Sequence, residues 1–306
     1  MHRIIYYLVL SVIAFNTLPS HAQHKAKRNK HVIPFRLTSF NNISVKAIIN
    51  KIDTVELMFH TAANAIALTE EAVKKLKSLR FNSVTDSVKS WGGQANSSRM
   101  SESNEIRIGD LTWNLQPIWE DINSGQETDG KFGNDLFKDK VIEIDFDANV
   151  IRLNESLPSK IKRYQKLSLE SKDDLWFIIA SCQINDSSYT NKLLIHSGYS
   201  GAILLDDEFA NKHQLSDKLK ITGEKSLKDS YGNIIKTQQA ILPSLFFNKI
   251  KLDNVPVGFF AGTIGRQRMS VLGSDVLKRF NIIINKERTA IFLKENRLAK
   301  SPYRKS

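Results

Sequence analysis

Two histidines carry the most suggestive chemistry in this chain of 306 residues. His60 ends the apolar run Leu57-Met58-Phe59 and is followed by Thr61 and Ala62; His196 ends Leu193-Leu194-Ile195 and is followed by Ser197 and Gly198. A neutral imidazole has one N–H and one basic nitrogen, so a facing pair can hold a water and act as general base. The same pair can ligate zinc, but a catalytic zinc commonly takes three protein ligands. The candidates for a third are His24, His31 and His213, or the acids Asp129, Asp135 and Asp275. None is placed by motif, and the acids read equally well as turn residues and helix caps. The one cysteine, Cys182, lies in the apolar run FIIASCQI and reads as a buried small residue. It excludes an internal disulfide and a thiolate metal cage.

The elements that position these histidines occur twice. Residues 132–153 (FGNDLFKDKVIEIDFDANVIRL) align without a gap on residues 272–293 (LGSDVLKRFNIIINKERTAIFL), with 7 identities in 22 positions, among them Gly133/Gly273 and Asp135/Asp275. Each copy predicts a glycine, a short helix and a β-hairpin. ELMFHTAANAIAL at 56–68 matches KLLIHSGYSGAILL at 192–205 with one insertion. Helices are expected to follow over Thr69–Leu79, with Val73, Leu76 and Leu79 on one stripe, and over Asp206–His213. A period of about 136–140 residues is domain-sized, which predicts two lobes related by an approximate two-fold. Strand signals dominate: 43–49, 55–59, 141–146, 174–184, 192–195 and 281–284. The expected class is mainly β with a few short helices.

Composition is ordinary for a globular chain, with 41% hydrophobic and 25% charged residues, which excludes wholesale disorder. Residues 1–22 have a basic start, an apolar run from Ile4 to Phe15 and a small-x-small ending, the pattern of a cleaved signal peptide; the run is shorter than the roughly 20 residues that span a bilayer. A secreted or periplasmic product is expected, with no transmembrane segment. The remainder divides into a basic tail (23–32), a first lobe (33–153), a linker (154–164), a second lobe (165–298) and a basic tail (299–306). Net charge is +12, yet the cations are scattered through tails and linkers with no aromatic-interleaved platform. Nucleic acid is therefore not expected as a partner.

With these residues in view, the chain resembles the aspartic protease superfamily, specifically two-lobed bacterial proteins whose halves look like single retropepsin subunits. The resemblance rests on a strand, a turn of Asp-Thr/Ser-Gly type and a later hydrophobic-hydrophobic-Gly motif in each lobe. Here the turns are His60-Thr61-Ala62 and His196-Ser197-Gly198, and the later motifs are Phe132-Gly133 and Leu272-Gly273, the psi loops. It implies two pseudo-symmetric β-barrel lobes, and Thr61 and Ser197 cross-bonded between them. It implies flap hairpins too, at Trp91-Gly92-Gly93 and Tyr231-Gly232, over an extended peptide or protein segment.

The departure is that both aspartate positions are histidine and Ala62 replaces a glycine. Aspartic proteolysis needs one protonated and one ionised carboxyl; two imidazoles lack that charge and are bulkier. Repulsion and desolvation would keep both rings neutral. The expectation is a catalytically silent, peptide-binding pseudoprotease without cofactor, and a monomer because both halves share one chain. The alternative is a hydrolase using His60 and His196 as zinc ligands or general base. Arg266 and Arg268 either meet an acidic ligand at the cleft rim or sit in a solvated loop.

Overall fold

The structure is a computed structural model that describes residues 31–89, 95–122, 125–228, 234–260 and 268–304. The expected signal segment, the flap tips Trp91, Gly92, Gly93, Tyr231 and Gly232, and Arg266 lie outside the described residues.

The first lobe is built from β1 (Ile43–Ile49), β2 (Asp53–Phe59), β3 (Ile66–Thr69), β4 (Ala95–Ile108), β5 (Leu111–Asp121) and β6 (Gly130–Phe132). Alternate residues Ile43, Val45, Ala47 and Ile49 of β1, and Val55, Leu57 and Phe59 of β2, are buried, as a period of two requires when one face meets a core. The strands pair in the order β1-β2-β6-β3-β5-β4, and β4 returns to β1 through Ile106, Arg107 and Ile108, so six strands close on themselves. The second lobe repeats this with β7 (Leu175–Ile184), β8 (Ser187–His196), β9 (Ile203–Leu204), β10 (Ile234–Phe247), β11 (Ile250–Phe259) and β12 (Ser270–Gly273). Its order is β7-β8-β12-β9-β11-β10, closed by β10 on β7 at Ser181, Cys182 and Gln183. The two barrels share one connectivity, with parallel pairs β2–β6 and β8–β12 at equivalent places. The mainly β, two-lobed class and the internal duplication hold.

A six-stranded antiparallel sheet joins the lobes, with three strands from each half: His31–Pro34, Val150–Asn154 and Val141–Asp145 beside Phe280–Ile284, Ala290–Glu295 and Gln165–Ser168. At the junction Ile142 faces Ile284, Ile144 faces Ile282, and Glu143 faces Ile283. Since 142 and 144 are the duplicates of 282 and 284, this register is self-complementary and puts the pseudo-two-fold axis through the Glu143–Ile283 pair. Glu143 is 1% exposed and is held by Arg152 and Lys160, each at 2.7 Å. Lys160 belongs to the short 3₁₀ turn Ser159–Arg163 inside the expected linker, which is thus pinned to the junction.

Two local expectations change. Only Glu70–Val73 of the expected 69–79 helix is helical, capped by the Thr69 hydroxyl. Beyond it the Asp53 carboxylate takes the N–H groups of Lys77 and Ser78 at 3.1 and 2.8 Å, diverting them from the helical ladder. The second helix, Asp207–Lys212, forms as expected with Asp206 accepting from the Phe209 N–H. The C-terminal segment is no solvated tail as far as residue 304. Arg279 donates to the carbonyls of Ala299 and Ser301 and stacks on Tyr303, and the Arg304 guanidinium lies 3.9 Å from the centre of the Phe40 ring. His31, expected in the N-terminal tail, instead begins the shared sheet opposite Leu153. Cys182 is fully buried and its thiol is pushed up to about 12 by desolvation, as befits a packing residue.

Gly133 and Gly273 are identical between the halves for a steric reason. A Cβ on Gly133 would lie 2.2 Å from the Ala63 carbonyl oxygen, and one on Gly273 2.1 Å from that of Gly201. Gly273→Ala is expected to lose roughly 2–3 kcal/mol or more in denaturant unfolding, whereas Gly223→Ala, whose Cβ meets nothing within 4 Å, should stay within about 0.5 kcal/mol of the parent.

Candidate functional site at the lobe junction

Strands β2 and β8 deliver their last residues to the interface between the barrels, and the turns that follow are bonded to each other. Thr61 Oγ1 donates to the Ile195 carbonyl at 2.7 Å and accepts from the Ser197 N–H at 3.0 Å. Ser197 Oγ reciprocates, donating to the Phe59 carbonyl at 2.6 Å and accepting from the Thr61 N–H at 2.9 Å. Thr61 and Ser197 are 2% and 4% exposed, so each hydroxyl satisfies two backbone groups of the opposite lobe that water cannot reach. Beside the strand ends that lead into the turns lie the strands carrying Phe132 and Leu272-Gly273, paired in parallel with β2 and β8. The His60 N–H donates to the Phe132 carbonyl at 3.0 Å, and Gly273 pairs with His196. Asn134 Nδ2 donates to the Thr61 carbonyl at 3.2 Å, and Ser274 Oγ donates to that of Ser197. Asn134 and Ser274 are duplicates of one another in role but not in type, and identity matching passed over them for that reason.

The grip brings the two imidazoles together, with ring centroids 4.6 Å apart and planes at 59°. His60 Nδ1 accepts from the Ala62 N–H at 3.2 Å, which requires a lone pair on that nitrogen. His196 Nδ1 is buried and has no hydrogen-bond partner among the described residues. Protonating it would create a buried, unpartnered and charged donor. Burial, then the charge of the neighbouring ring and of Lys131, holds His60 well below the ordinary imidazole value. Burial, with Lys131 adding to it, pushes His196 down to about 4. Both rings are neutral at pH 7.

The pair is not symmetric. A Cβ on Gly198 would sit 2.4 Å from His60 Nε2, so the glycine makes room for the ring; the equivalent place on the other side carries the Ala62 methyl. His60 therefore leans over Gly198. His196, with Ala62, Gly198 and Tyr199, forms part of the wall of a cleft of about 540 Å3 that runs along the second lobe. Among the described residues no group of three or more His, Cys, Asp or Glu side chains is placed to hold a metal ion. Two of the three acids considered as third ligands have other partners: Asp129 accepts from the Glu56 N–H, and Asp275 pairs with Lys278. His213 packs on Tyr189 and Phe209. The strands that flank both expected flaps are paired, Ser83–Lys89 with β4 and Ile221–Lys228 with β10. Arg268 does reach the cleft, and so do three residues that no sequence pattern singled out: Phe40, Lys225 and Arg304. Lys225 is one lysine among many in the sequence, and Arg304 arrives from a segment with no periodicity, so neither left a signal to find.

Two measurements follow. Ser197→Ala strands two buried backbone groups and should cost roughly 2–3 kcal/mol in denaturant unfolding, with Ser197→Thr recovering most of it. Both histidines are depressed relative to the unfolded chain, which binds protons near pH 6.5. Stability should therefore be lost as pH falls from about 6.5 towards 4, by roughly 3 kcal/mol for His196 alone, and the His60→Gln, His196→Gln variant should lose that component.

The sequence matches no protein-family model, and no curated protein matches it. Among solved structures it is similar to an aspartic proteinase from Irpex lacteus, at 12% identity and a TM-score of 0.59, over 90% of this chain and 100% of that one. At that identity the likeness concerns the fold: this chain has the architecture of a two-lobed aspartic proteinase.

Proposed function

We propose that the chain is a peptide-binding protein on an aspartic-proteinase fold that does not carry out aspartic proteolysis. The observation that carries this reading is the pair of neutral imidazoles 4.6 Å apart at the tips of the gripped turns. By resemblance these tips are where two carboxyl groups would share a proton and polarise a water. A neutral imidazole pair has no negative charge to offer, and each ring is bulkier than the carboxyl group it stands for. The grip has no chemical role in hydrolysis and is complete, so the scaffold that shapes a cleft is retained without its reactive groups. Binding would come from strand addition by an extended segment and from side-chain pockets, neither of which needs carboxylates. With the N-terminal segment removed on export, the protein would act in a periplasm or outside the cell, as a monomer.

The test is turnover of a diverse peptide library by the exported form between pH 3 and 9, with and without zinc, against a His60→Ala, His196→Ala control. The expected result is no cleavage by the native protein together with retained peptide capture. Cleavage by the native protein that the alanine control lacks overturns the proposal, and chelator sensitivity then separates metal from free imidazole. Cleavage gained by His60→Asp, His196→Asp would mark a cleft that has lost only its dyad.

A further inference from the structure

Among the described residues the cleft beside His196 carries charge of one sign only. Lys225, Arg268 and Arg304 all line it, and among the described residues no Asp or Glu does. Among the described residues Lys225 has no ion pair or side-chain hydrogen bond, and neither does Arg268. The Arg304 guanidinium lies over the Phe40 ring, 3.9 Å from its centre, a contact that does not neutralise it. Lys225 is half-buried on the strand that leads to the second expected flap. Burial, and then the charge of Arg304, depress its ammonium below the usual lysine value, so the two cations repel each other across the cleft. Among the described residues the carboxylate that acts on Lys225 is Asp275, and it is 1% exposed and committed to Lys278 at 2.8 Å and to the Arg304 N–H at 2.6 Å. Like charges drawn together in a partly dry groove, without a counter-ion of their own, form a site for an anion.

We infer that this group of cations is a subsite for the carboxylate of an acidic residue in a peptide lying along the cleft. The inference rests on the peptide-binding reading and adds a ligand class to it. The apolar walls beside the cations, Leu175, Leu194 and Leu204, suit a peptide in which the acidic residue neighbours apolar ones. A carboxylate placed there would relieve the repulsion between Lys225 and Arg304 while gaining charge-assisted hydrogen bonds, so selectivity comes as much from the unpaired cations as from the new bonds.

The experiment uses two fluorescein-labelled octapeptide pools that are random except at one central position, fixed as Glu in one and Gln in the other. Their binding to the exported form is read by fluorescence anisotropy at low salt. The Glu pool is expected to bind on the order of ten-fold more tightly. That ratio should fall to about two-fold or less in Lys225→Ala combined with Arg268→Ala, shrink partway in each single variant, and persist in Lys225→Arg. Thermal melts of each variant confirm folding, and Arg268→Ala, an exposed position, provides a test that does not depend on Lys225. Equal binding of the two pools overturns the acidic subsite and leaves the peptide reading standing. A preference that survives the double variant overturns the assignment to these residues. Binding of neither pool overturns both.

Discussion

The reciprocal hydroxyl grip between Thr61 and Ser197 is the constraint on which the rest of the site depends. Each side chain gives one hydrogen bond and takes one, always across the lobe boundary, and all four lie in the dry interior. Because the partners are backbone groups at the strand ends, the grip fixes main chain rather than side chains. The separation of the rings, the need for Gly198 and the position of the cleft are consequences of where that main chain is held. In a buried site such bonds are hard to replace, since losing one hydroxyl orphans groups on both lobes.

The shared sheet plays the matching role at a distance from the site. Its central register is self-complementary, and Ile142, Ile144, Ile282 and Ile284 run directly into both barrel cores, making a single apolar body. Glu143 is the exception at the centre, a buried carboxylate whose charge is met by Arg152 and Lys160. Buried ion pairs add little net stability once desolvation is counted, though removing one partner is costly. Here the partners come from the adjoining strand and from the connecting turn, so the ion pairs tie the connection between lobes to the symmetry axis.

What could be read from the chain beforehand was whatever leaves a local or a repeated trace. Gly133 and Gly273 stand out because a backbone oxygen excludes any Cβ there, and the two His turns stand out because apolar strands lead into them. Strand β1 was legible to the residue, for Ile43, Val45, Ala47 and Ile49 put an apolar side chain at every second position. The extent of the first helix was not, because an apolar stripe says nothing of Asp53, distant in sequence, competing for its amide groups. Barrel closure through β4 on β1 and β10 on β7 left no pattern either, being a tertiary event between strands far apart. Among the cleft cations, Arg268 stood out in the sequence beside Arg266 as a candidate for the cleft rim, whereas Lys225 and Arg304 did not: the three come from separate segments, and only the fold makes neighbours of them.

The difference between Gly198 and Ala62 bears on how such a chain can diverge. In an assembly of two identical subunits every substitution falls on both sides of the axis at once, so a glycine opposite one ring and a methyl opposite the other is inaccessible. A fused duplicate removes that restriction. One half can keep the space into which His60 leans while the other fills it, and one wall can gather cations without imposing the same charge on its mirror image. Fusion thus converts a symmetric scaffold into two surfaces that drift separately around one fixed grip, and a two-faced cleft can arise from a one-faced ancestor by ordinary point substitution.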